Sequence, residues 1–412
     1  MEVRPFRFVE MQGLVGIIVC MVCTSISEHR ICRIRNAISA RSGVPMRMAV
    51  TICVVLSSIM LPGRLSAAQT GLLQVHPDNP RYFFDGTRGI YLCGHQIFVD
   101  IQDNSFNKEW VKDMRYPEKP DKKSRLLDWQ RYLNWVEGLG FNYVRNWIIW
   151  STGSGTAAPP KRIAFPMPFK RTGPGNANDG GLEFDLQKYD DTFFQRLHDR
   201  CRDLQERGIY ISVMLFELYG FLDGEDVDGQ RLWEGNLFCG ANNINGIDVD
   251  RNGNRLGEEF FSLDDPRVLK IQKAYIEKMV DTLNDLDNVI WEICNEAPSA
   301  AIEWQYEMLR HLKAYETRKP KQHLVLLSPA GWTPGGWSWP EERLFIDSRA
   351  DCIATANGWT DKDNPKVYRI DKPVIMDLDH VAPGKGTGCQ RSACHRGGQV
   401  PHRTGRWRPE VE

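Results

Sequence analysis

The clearest chemical signal in the sequence is a buried apolar run that ends in an Asn-Glu pair. Residues 288–294, Asn-Val-Ile-Trp-Glu-Ile-Cys, have the length and the β-branched content of an interior strand. Asn295 and Glu296 follow at the point where such a strand leaves its sheet, and a carboxylic acid placed there can donate a proton to a substrate. The alternative interpretation is a strand followed by an ordinary Asn-Glu-Ala-Pro turn.

Other short apolar runs also end in polar residues, and helical patterns separate them. Between the runs, apolar residues recur every three or four positions, as at Leu126, Trp129, Leu133 and Val136. Strands that alternate with helices predict a parallel α/β sheet, and seven such units favour a (β/α)8 TIM barrel over a doubly wound sheet. No glycine-rich phosphate loop follows the first strand, which argues against a nucleotide-binding fold. The other runs of strand character are residues 90–95, 142–147, 209–216, 324–327, 352–354 and 373–376.

The predicted strand ends carry a set of residues that suits an active site. In a barrel of this kind, the active site lies at the C-terminal ends of the strands. A single polar residue at a strand end is explained by the contact of the barrel rim with solvent. Six such residues, which include acids, an arginine and a histidine, predict an active site. These six are His95, Arg145, Glu217, Asn295, Glu296 and Asp377.

Three long segments after predicted strands are expected to surround this face. They are residues 96–124, 151–185 and 217–262, and long loops on a domain of this kind usually form lids or walls. We therefore expect a cleft. Several tryptophans at or beyond strand ends are candidates for stacking on sugar rings, although most should be ordinary packing residues. They are Trp147, Trp150, Trp332, Trp337, Trp339 and Trp359.

Composition excludes several classes of function. The 412 residues have a formal net charge of -1 and are 42% hydrophobic, so the chain can bury a large core and shows no bulk signal for nucleic acid. The eleven cysteines lack the paired short spacings of a disulfide framework or a zinc module. We predict neither a cofactor nor a metal site.

The N-terminal region has the layout of a signal peptide that begins late. Residues 46–48 are Met-Arg-Met, residues 49–61 are apolar, and Ser-Ala-Ala at 66–68 suits a cleavage site. We expect residues 46–68 to be a signal peptide, residues 1–45 to be an over-extended N-terminus, and the protein to be secreted or periplasmic. The rival interpretation makes residues 14–22 and 49–61 membrane-associated segments, but both are too short for a stable span.

Taken together, these residues resemble those of a large family of enzymes. The Asn295-Glu296 pair closing the fourth strand, Arg145 closing the second and the acids after the seventh resemble the cellulase-like clan of retaining glycoside hydrolases, which is built on a TIM barrel. The resemblance spans about residues 76–381 and includes the segments 76–83 and 140–147. It implies a barrel domain over residues 76–383 and an oligo- or polysaccharide substrate.

The resemblance also implies a mechanism. In a retaining double displacement, one carboxylic acid protonates the leaving oxygen and a second carboxylate attacks the anomeric carbon. Glu296 matches the acid/base, Asn295 the residue that hydrogen-bonds the sugar 2-hydroxyl, and Arg145 the cation that keeps the nucleophile ionised. Glu292 either pairs with Arg145 as well or is a buried structural carboxylate.

The nucleophile departs from the clan's pattern. The clan places a Glu just after its seventh strand, whereas residues 372–380 offer only Asp377 and Asp379 as acids beyond the apolar run. Asp377, the first of them, is the preferred nucleophile, and Asp379 is the alternative. The residues expected to bind substrate are His95, Arg145, Trp147, Asn295, Trp359 and His380.

No eighth βα unit is visible after Asp377. Residues 384–412 are rich in Gly, Arg, Cys and His and have no apolar period, which indicates a frameshifted or truncated reading or a disordered basic tail. We expect the barrel to lack its eighth unit and this form to have little activity. Besides a glycosidase, two other functions stay open: a non-catalytic carbohydrate-binding barrel and a membrane-tethered scaffold.

Overall fold

A computed structural model describes part of the chain, and every described residue belongs to the unit Ala67–Glu412. The described residues are 71–97, 101–104, 127–152, 164–221, 232–328, 332–333, 336–337, 346–355 and 370–376.

The strands of the described residues fall into one large sheet and four small ones. They are β1 (Gln74–Val75), β2 (Phe83–Phe84), β3 (Gly89–Ile90), β4 (Gly94–Ile97), β5 (Asp103–Asn104), β6 (Tyr143–Asn146), β7 (Ala164–Phe165), β8 (Phe169–Asn176), β9 (Leu182–Tyr189), β10 (Tyr210–Glu217), β11 (Val289–Asn295), β12 (Val325–Leu327), β13 (Trp332–Thr333), β14 (Gly336–Trp337), β15 (Cys352–Thr355) and β16 (Val374–Met376).

The described helices precede or follow the strands of the large sheet. The α-helices are α1 (Trp129–Gly138), α2 (Asp191–Glu206), α3 (Pro266–Leu283) and α4 (Ile302–Glu316). Short 3-10 helices are Tyr219–Phe221, Trp233–Gly235, Gly240–Asn242, Glu258–Phe261 and Ser299–Ala301.

The large sheet has seven strands in the order β4-β6-β10-β11-β12-β15-β16, and every neighbouring pair is parallel. The strand order follows the sequence without the reversal that a doubly wound sheet has at its switch point. This confirms the predicted seven parallel strands of a barrel-type sheet. The predicted absence of an eighth unit concerns residues 377–412, which lie outside the described part of the chain.

Local sequence explains where the helices begin. Asp190 and Asp265 each cap a helix, accepting hydrogen bonds from the backbone N–H groups of Thr192 (2.9 Å) and Arg267 (2.8 Å). Pro266 occupies the first turn of α3, where a missing N–H is tolerated. Each helix then buries one face against the sheet, because its apolar residues recur at helical spacing.

Two apolar layers cover the two faces of the sheet. The larger lies between the sheet and the helices. The smaller lies on the inner face, where Leu73, Phe83 and Ile90 of the β1–β3 segment pack with Tyr143 and Tyr210, the first residues of β6 and β10. The antiparallel β1–β3 sheet therefore packs against the end at which the parallel strands begin.

The long segments after the strands contain more regular structure than we predicted. Residues 151–185 were expected to be a loop, but β8 and β9 form an antiparallel hairpin within and just beyond it. β2 pairs with β3 as an antiparallel hairpin whose turn contains Asp85 and Gly86, and Gly86 has a φ of 90°. In the described residues, no helix combines the length and apolar character that a membrane crossing requires.

Candidate active site

The inner face of the sheet carries a buried ion pair between β6 and β11. Tyr143 and Ile290 belong to the inner apolar layer, and Arg145 and Glu292 each follow two positions later on the same face. Arg145 Nε donates to Glu292 Oε2 at 2.8 Å and Nη2 donates to Oε1 at 2.5 Å. Because Arg145 is 4% exposed and Glu292 is fully buried, each charge depends on the other for compensation. Glu292 is therefore a partner of Arg145, which was one of our two predictions for it.

Ser328 and Asn295 complete this network. Ser328, which follows β12, donates to Glu292 Oε1 at 2.6 Å. Arg145 Nη2 donates to Asn295 Oδ1 at 2.8 Å. A guanidinium has only donors, so the oxygen of the Asn295 amide must be the atom that faces it. The Asn295 Nδ2 group then points away from Arg145, and no described residue accepts a hydrogen bond from it. It can donate to a ligand.

Glu296 stands immediately beyond this network in an unusual backbone conformation. Its φ is 54°, in the left-handed region that non-glycine residues rarely adopt. The strand before it is fully buried through Asn295, and Ala297 and Pro298 after it are buried as well, so its neighbours hold the conformation in place. Glu296 itself is partly exposed. Strain of this kind costs on the order of 1–3 kcal/mol and is concentrated at functional sites.

Cys294 lies among the carboxylates of the site. Burial raises the pKa of its thiol well above the usual value, and the negative charges of Glu217, Glu292 and Glu296 raise it further. The thiol therefore stays protonated and is a poor nucleophile. Within the described residues of this site, no three His, Cys, Asp or Glu side chains are arranged to hold a metal ion.

Glu217 has a structural role that its position at a strand end did not reveal. It is fully buried, and its two carboxylate oxygens accept hydrogen bonds from the backbone N–H groups of Trp150 (3.2 Å) and Gly220 (2.7 Å). A Cβ at Gly220 would lie 2.6 Å from Glu217 Oε1, so glycine permits this close approach. Glu217 thus joins the segment after β6 to the segment after β10.

His95 does not lie beside Arg145, contrary to our expectation for a substrate-binding residue. It aligns with Val144, whose side chain belongs to the core between sheet and helices, whereas Gln96 aligns with Arg145. The His95 ring packs edge to face on Trp135 of α1, with the ring centroids 4.9 Å apart. Burial lowers its pKa to about 3. The prediction that His95 binds substrate conflicts with this placement.

Two of the predicted aromatic platforms are buried. Trp147 is 5% exposed and Trp150 is 1% exposed. The Trp150 ring stacks on Phe216 at 5.7 Å and meets Tyr275 edge to face at 4.9 Å. Stacking on a sugar requires an accessible ring face, so both tryptophans are packing residues in this structure.

The predicted nucleophiles lie outside the described residues, as do two predicted substrate-binding residues. These four are Asp377, Asp379, Trp359 and His380. The structure thus brings together Arg145, Asn295 and Glu296 and leaves the second carboxylate as a prediction. Sequence reasoning missed Ser328, although it follows the apolar run 324–327 and the strand-end rule could have found it.

Comparisons with known proteins find solved structures of glycoside hydrolases that share a low sequence identity with this chain. Residues 159–331, less than half of the chain, match a family described as "Domain of unknown function (DUF6298)". No curated protein matches the chain.

Three solved structures illustrate the similarity. A protein from Bacteroides vulgatus, assigned provisionally as a glycoside hydrolase, is 17% identical with a TM-score of 0.43, and the match covers 74% of this chain and 47% of that one. A glycoside hydrolase family 5 protein from the same organism is 14% identical with a TM-score of 0.38, covering 76% and 54%. A glycoside hydrolase family 5 mannosidase from Rhizomucor miehei is 13% identical with a TM-score of 0.44, covering 75% and 73%. This chain matches only about half the length of the two Bacteroides proteins.

Proposed function

We propose that this protein is a secreted glycoside hydrolase that cleaves O-glycosidic bonds by a retaining mechanism with two carboxylates. The observation that carries the proposal is the arrangement at the end of β11. Arg145 holds the Asn295 oxygen at 2.8 Å, which leaves the amide N–H group for a ligand, and the next residue is a carboxylic acid held in a left-handed turn. A hydrogen-bond donor beside a proton donor suits a sugar hydroxyl next to a glycosidic oxygen.

The reaction proceeds in two displacements. Glu296 gives its proton to the glycosidic oxygen while a second carboxylate attacks the anomeric carbon, and the bond to the leaving group breaks. Water then attacks the glycosyl-enzyme ester, Glu296 takes a proton from it, and the second carboxylate is released. Asp377 supplies that carboxylate in our proposal, with Asp379 as the alternative, on the basis of their position after the seventh strand.

The remaining parts of the proposal rest on sequence. Trp359 and His380 would contact the sugar, since they follow the predicted sixth and seventh strands. Export rests on the signal-like segment 46–68.

The test is the turnover of Glu296→Gln on two kinds of substrate. On natural glycosides, turnover should fall by about 10²- to 10⁴-fold, as expected for the loss of a positioned proton donor. On aryl glycosides whose phenol leaves without protonation, the first displacement should be much less affected. Glu206→Gln is the matched control, because Glu206 ends α2 and its side chain is 68% exposed.

Two results separate the alternatives. Unchanged turnover of Glu296→Gln on natural glycosides would refute the acid/base assignment. Binding of oligosaccharides without hydrolysis of any aryl glycoside by the wild-type protein would instead identify a non-catalytic carbohydrate-binding barrel. Asp377→Asn and Asp379→Asn then identify the nucleophile, whose loss should affect both kinds of substrate.

A further inference from the structure

Residues 248–259 have the residue spacing of a calcium-binding loop. The segment reads Asp-Val-Asp-Arg-Asn-Gly-Asn-Arg-Leu-Gly-Glu-Glu, with acids at its first, third and twelfth positions, Asn at the fifth and Gly at the sixth. In a twelve-residue EF-hand loop these positions, together with the backbone carbonyl of the seventh, supply the oxygen ligands of Ca²⁺. The segment lies between β10 and α3 and contributes none of the residues of the site described above.

The backbone of the segment curls as such a loop requires. Gly253, at the sixth position, has a φ of 74°, in the left-handed region that makes the sharp turn possible. Asn252 Oδ1 accepts a hydrogen bond from the N–H of Asn254 at 2.8 Å, and Asp250 Oδ2 accepts one from the N–H of Arg255 at 2.9 Å. The side chains at the third and fifth positions therefore fold back onto their own loop.

Three carboxylate oxygens of the segment are buried and receive no hydrogen bond from the described residues. They are Asp250 Oδ1, Glu258 Oε2 and Glu259 Oε2, and each exposes less than 1 Å². The other oxygen of each group is engaged, as when Glu259 Oε1 accepts from the N–H of Asn252 at 3.1 Å. Burying an unpaired charged oxygen is costly, so Asp250 and Glu259, at the third and twelfth positions, are acids whose missing partner a bound cation would supply.

Ion pairs within the described residues do not supply this positive charge. No lysine, arginine or histidine of the described residues forms an ion pair with Asp248, Asp250, Glu258 or Glu259. The two arginines of the segment bind acids outside it: Arg251 pairs with Asp264 at 3.2 Å, and Arg255 pairs with Glu234.

We propose that residues 248–259 bind a calcium ion. The ligands would be the side chains of Asp248, Asp250, Asn252 and Glu259 and the backbone carbonyl of Asn254. Oxygen ligands of this number and flexibility suit Ca²⁺ better than Mg²⁺, which demands a tight octahedron and retains its waters. As placed, no three acidic, His or Cys side chains of the described residues are gathered closely enough to hold a metal ion. Binding therefore requires these side chains to rotate inward.

Calcium binding would also stabilise the segment between β10 and α3, which is hydrogen-bonded to residues beside the candidate active site. The segment leading into the loop is tied to the residues after β6, since Thr152 N–H donates to the Gly235 carbonyl at 2.9 Å and Leu237 N–H donates to the Trp150 carbonyl at 3.2 Å. Trp150 is in turn held by Glu217. This consequence does not depend on the proposed glycosidase activity.

Terbium luminescence on the full-length protein tests the proposal. Trp233 packs directly on the loop, because a Cβ at Gly257 would lie 2.4 Å from its ring. Excitation of tryptophan should therefore give saturable Tb³⁺ emission that Ca²⁺ displaces and an equal concentration of Mg²⁺ does not. Ca²⁺ should also raise the melting temperature relative to the chelated protein. Absence of saturable emission, or of a calcium-dependent melting shift, would overturn the proposal.

Matched variants locate the ion. Asp250→Asn combined with Glu259→Gln should abolish both responses, whereas Glu206→Gln, which removes an exposed charge at the end of α2, should leave calcium affinity within about threefold of the wild type. Glu259→Asp keeps the charge but shortens the ligand, and it should weaken calcium binding at least about tenfold even if the double variant does not fold. Wild-type affinity in Glu259→Asp would place the ion elsewhere and refute the assignment.

Discussion

Removing the charge of Glu292 should destabilise the protein strongly, because the structure buries its partner. Glu292 accepts three hydrogen bonds: two from Arg145, at 2.8 and 2.5 Å, and one from Ser328 at 2.6 Å. Hydrogen bonds to charged groups contribute roughly 1.5–3 kcal/mol each, but Gln at 292 keeps an acceptor oxygen and part of this network. The dominant cost is the buried guanidinium left without a counter-charge. We expect Glu292→Gln to lower the free energy of unfolding by about 3–5 kcal/mol.

Urea unfolding, followed by tryptophan fluorescence, measures this loss. Ser328→Ala is the control, since it removes the hydroxyl that donates to Glu292 at 2.6 Å and accepts from Arg145 at 3.4 Å but keeps the ion pair. It should cost about 1.5–3 kcal/mol. Replacing both charges, in Arg145→Met with Glu292→Met, should recover most of the stability because no charge is left buried. It should not recover activity, since Arg145 also holds Asn295. A Glu292→Gln protein within about 1 kcal/mol of the wild type would refute the buried pair.

Two further predictions concern single residues. Because the folded-state pKa of His95 is about 3 against an ordinary 6.5, the unfolded chain takes up the proton first, and stability should fall as the pH drops from 6.5 toward 3. His95→Gln should reduce that fall, measured as urea midpoints at several pH values; equal falls in both proteins would contradict the burial of the ring. Asn295→Asp should keep the fold by pairing with Arg145 yet lower turnover at least about tenfold, because a donor to substrate becomes an acceptor; wild-type kcat/KM would show that the amide N–H is not used.

The sheet could be predicted because its signal is periodic and repeated. Apolar runs that alternate with helical patterns of apolar residues predict a parallel sheet. Because active sites of barrel enzymes lie at the C-terminal ends of the strands, the sequence also predicted that Arg145, Asn295 and Glu296 lie close together. Arg145 lies on the second strand of the sheet, Asn295 ends the fourth and Glu296 follows it, and only β10 separates these two strands. Their proximity follows from the strand order.

The prediction for His95 failed because a strand end does not specify a face. We expected the first strand to end at His95, but β4 extends to Ile97 and places His95 opposite Val144. Successive residues of a strand point to opposite faces, so the end of an apolar run does not say whether its last residue points to the inner face or to the helices. The sequence around residue 95 contains no signal that fixes this register.

The prediction that Trp147 and Trp150 could stack on sugar rings failed for a different reason. The exposure of a tryptophan ring depends on segments that are distant in sequence. Trp150 follows a strand end as expected, but Phe238 and Phe260 of the segment after β10 cover its ring at centroid distances of 5.9 and 6.1 Å. Which loop covers which ring is a tertiary property that periodicity does not encode. The calcium-type spacing of residues 248–259 stands in the sequence, although we predicted no metal site from it, and its unpaired oxygens became evident only in the structure.

The conformation of Glu296 favours the proposed catalytic interpretation of the Asn-Glu pair over the alternative of an ordinary turn. If residues 295–298 were only a turn, a glycine at 296 would adopt a φ of 54° without strain and would serve the fold better. The chain instead carries a carboxylate there, directly after an asparagine whose amide is oriented by a buried ion pair. A glycine would relieve the strain but would remove the proposed proton donor. The cost of the left-handed backbone is therefore better explained by the chemistry of the carboxylate than by the requirements of the turn.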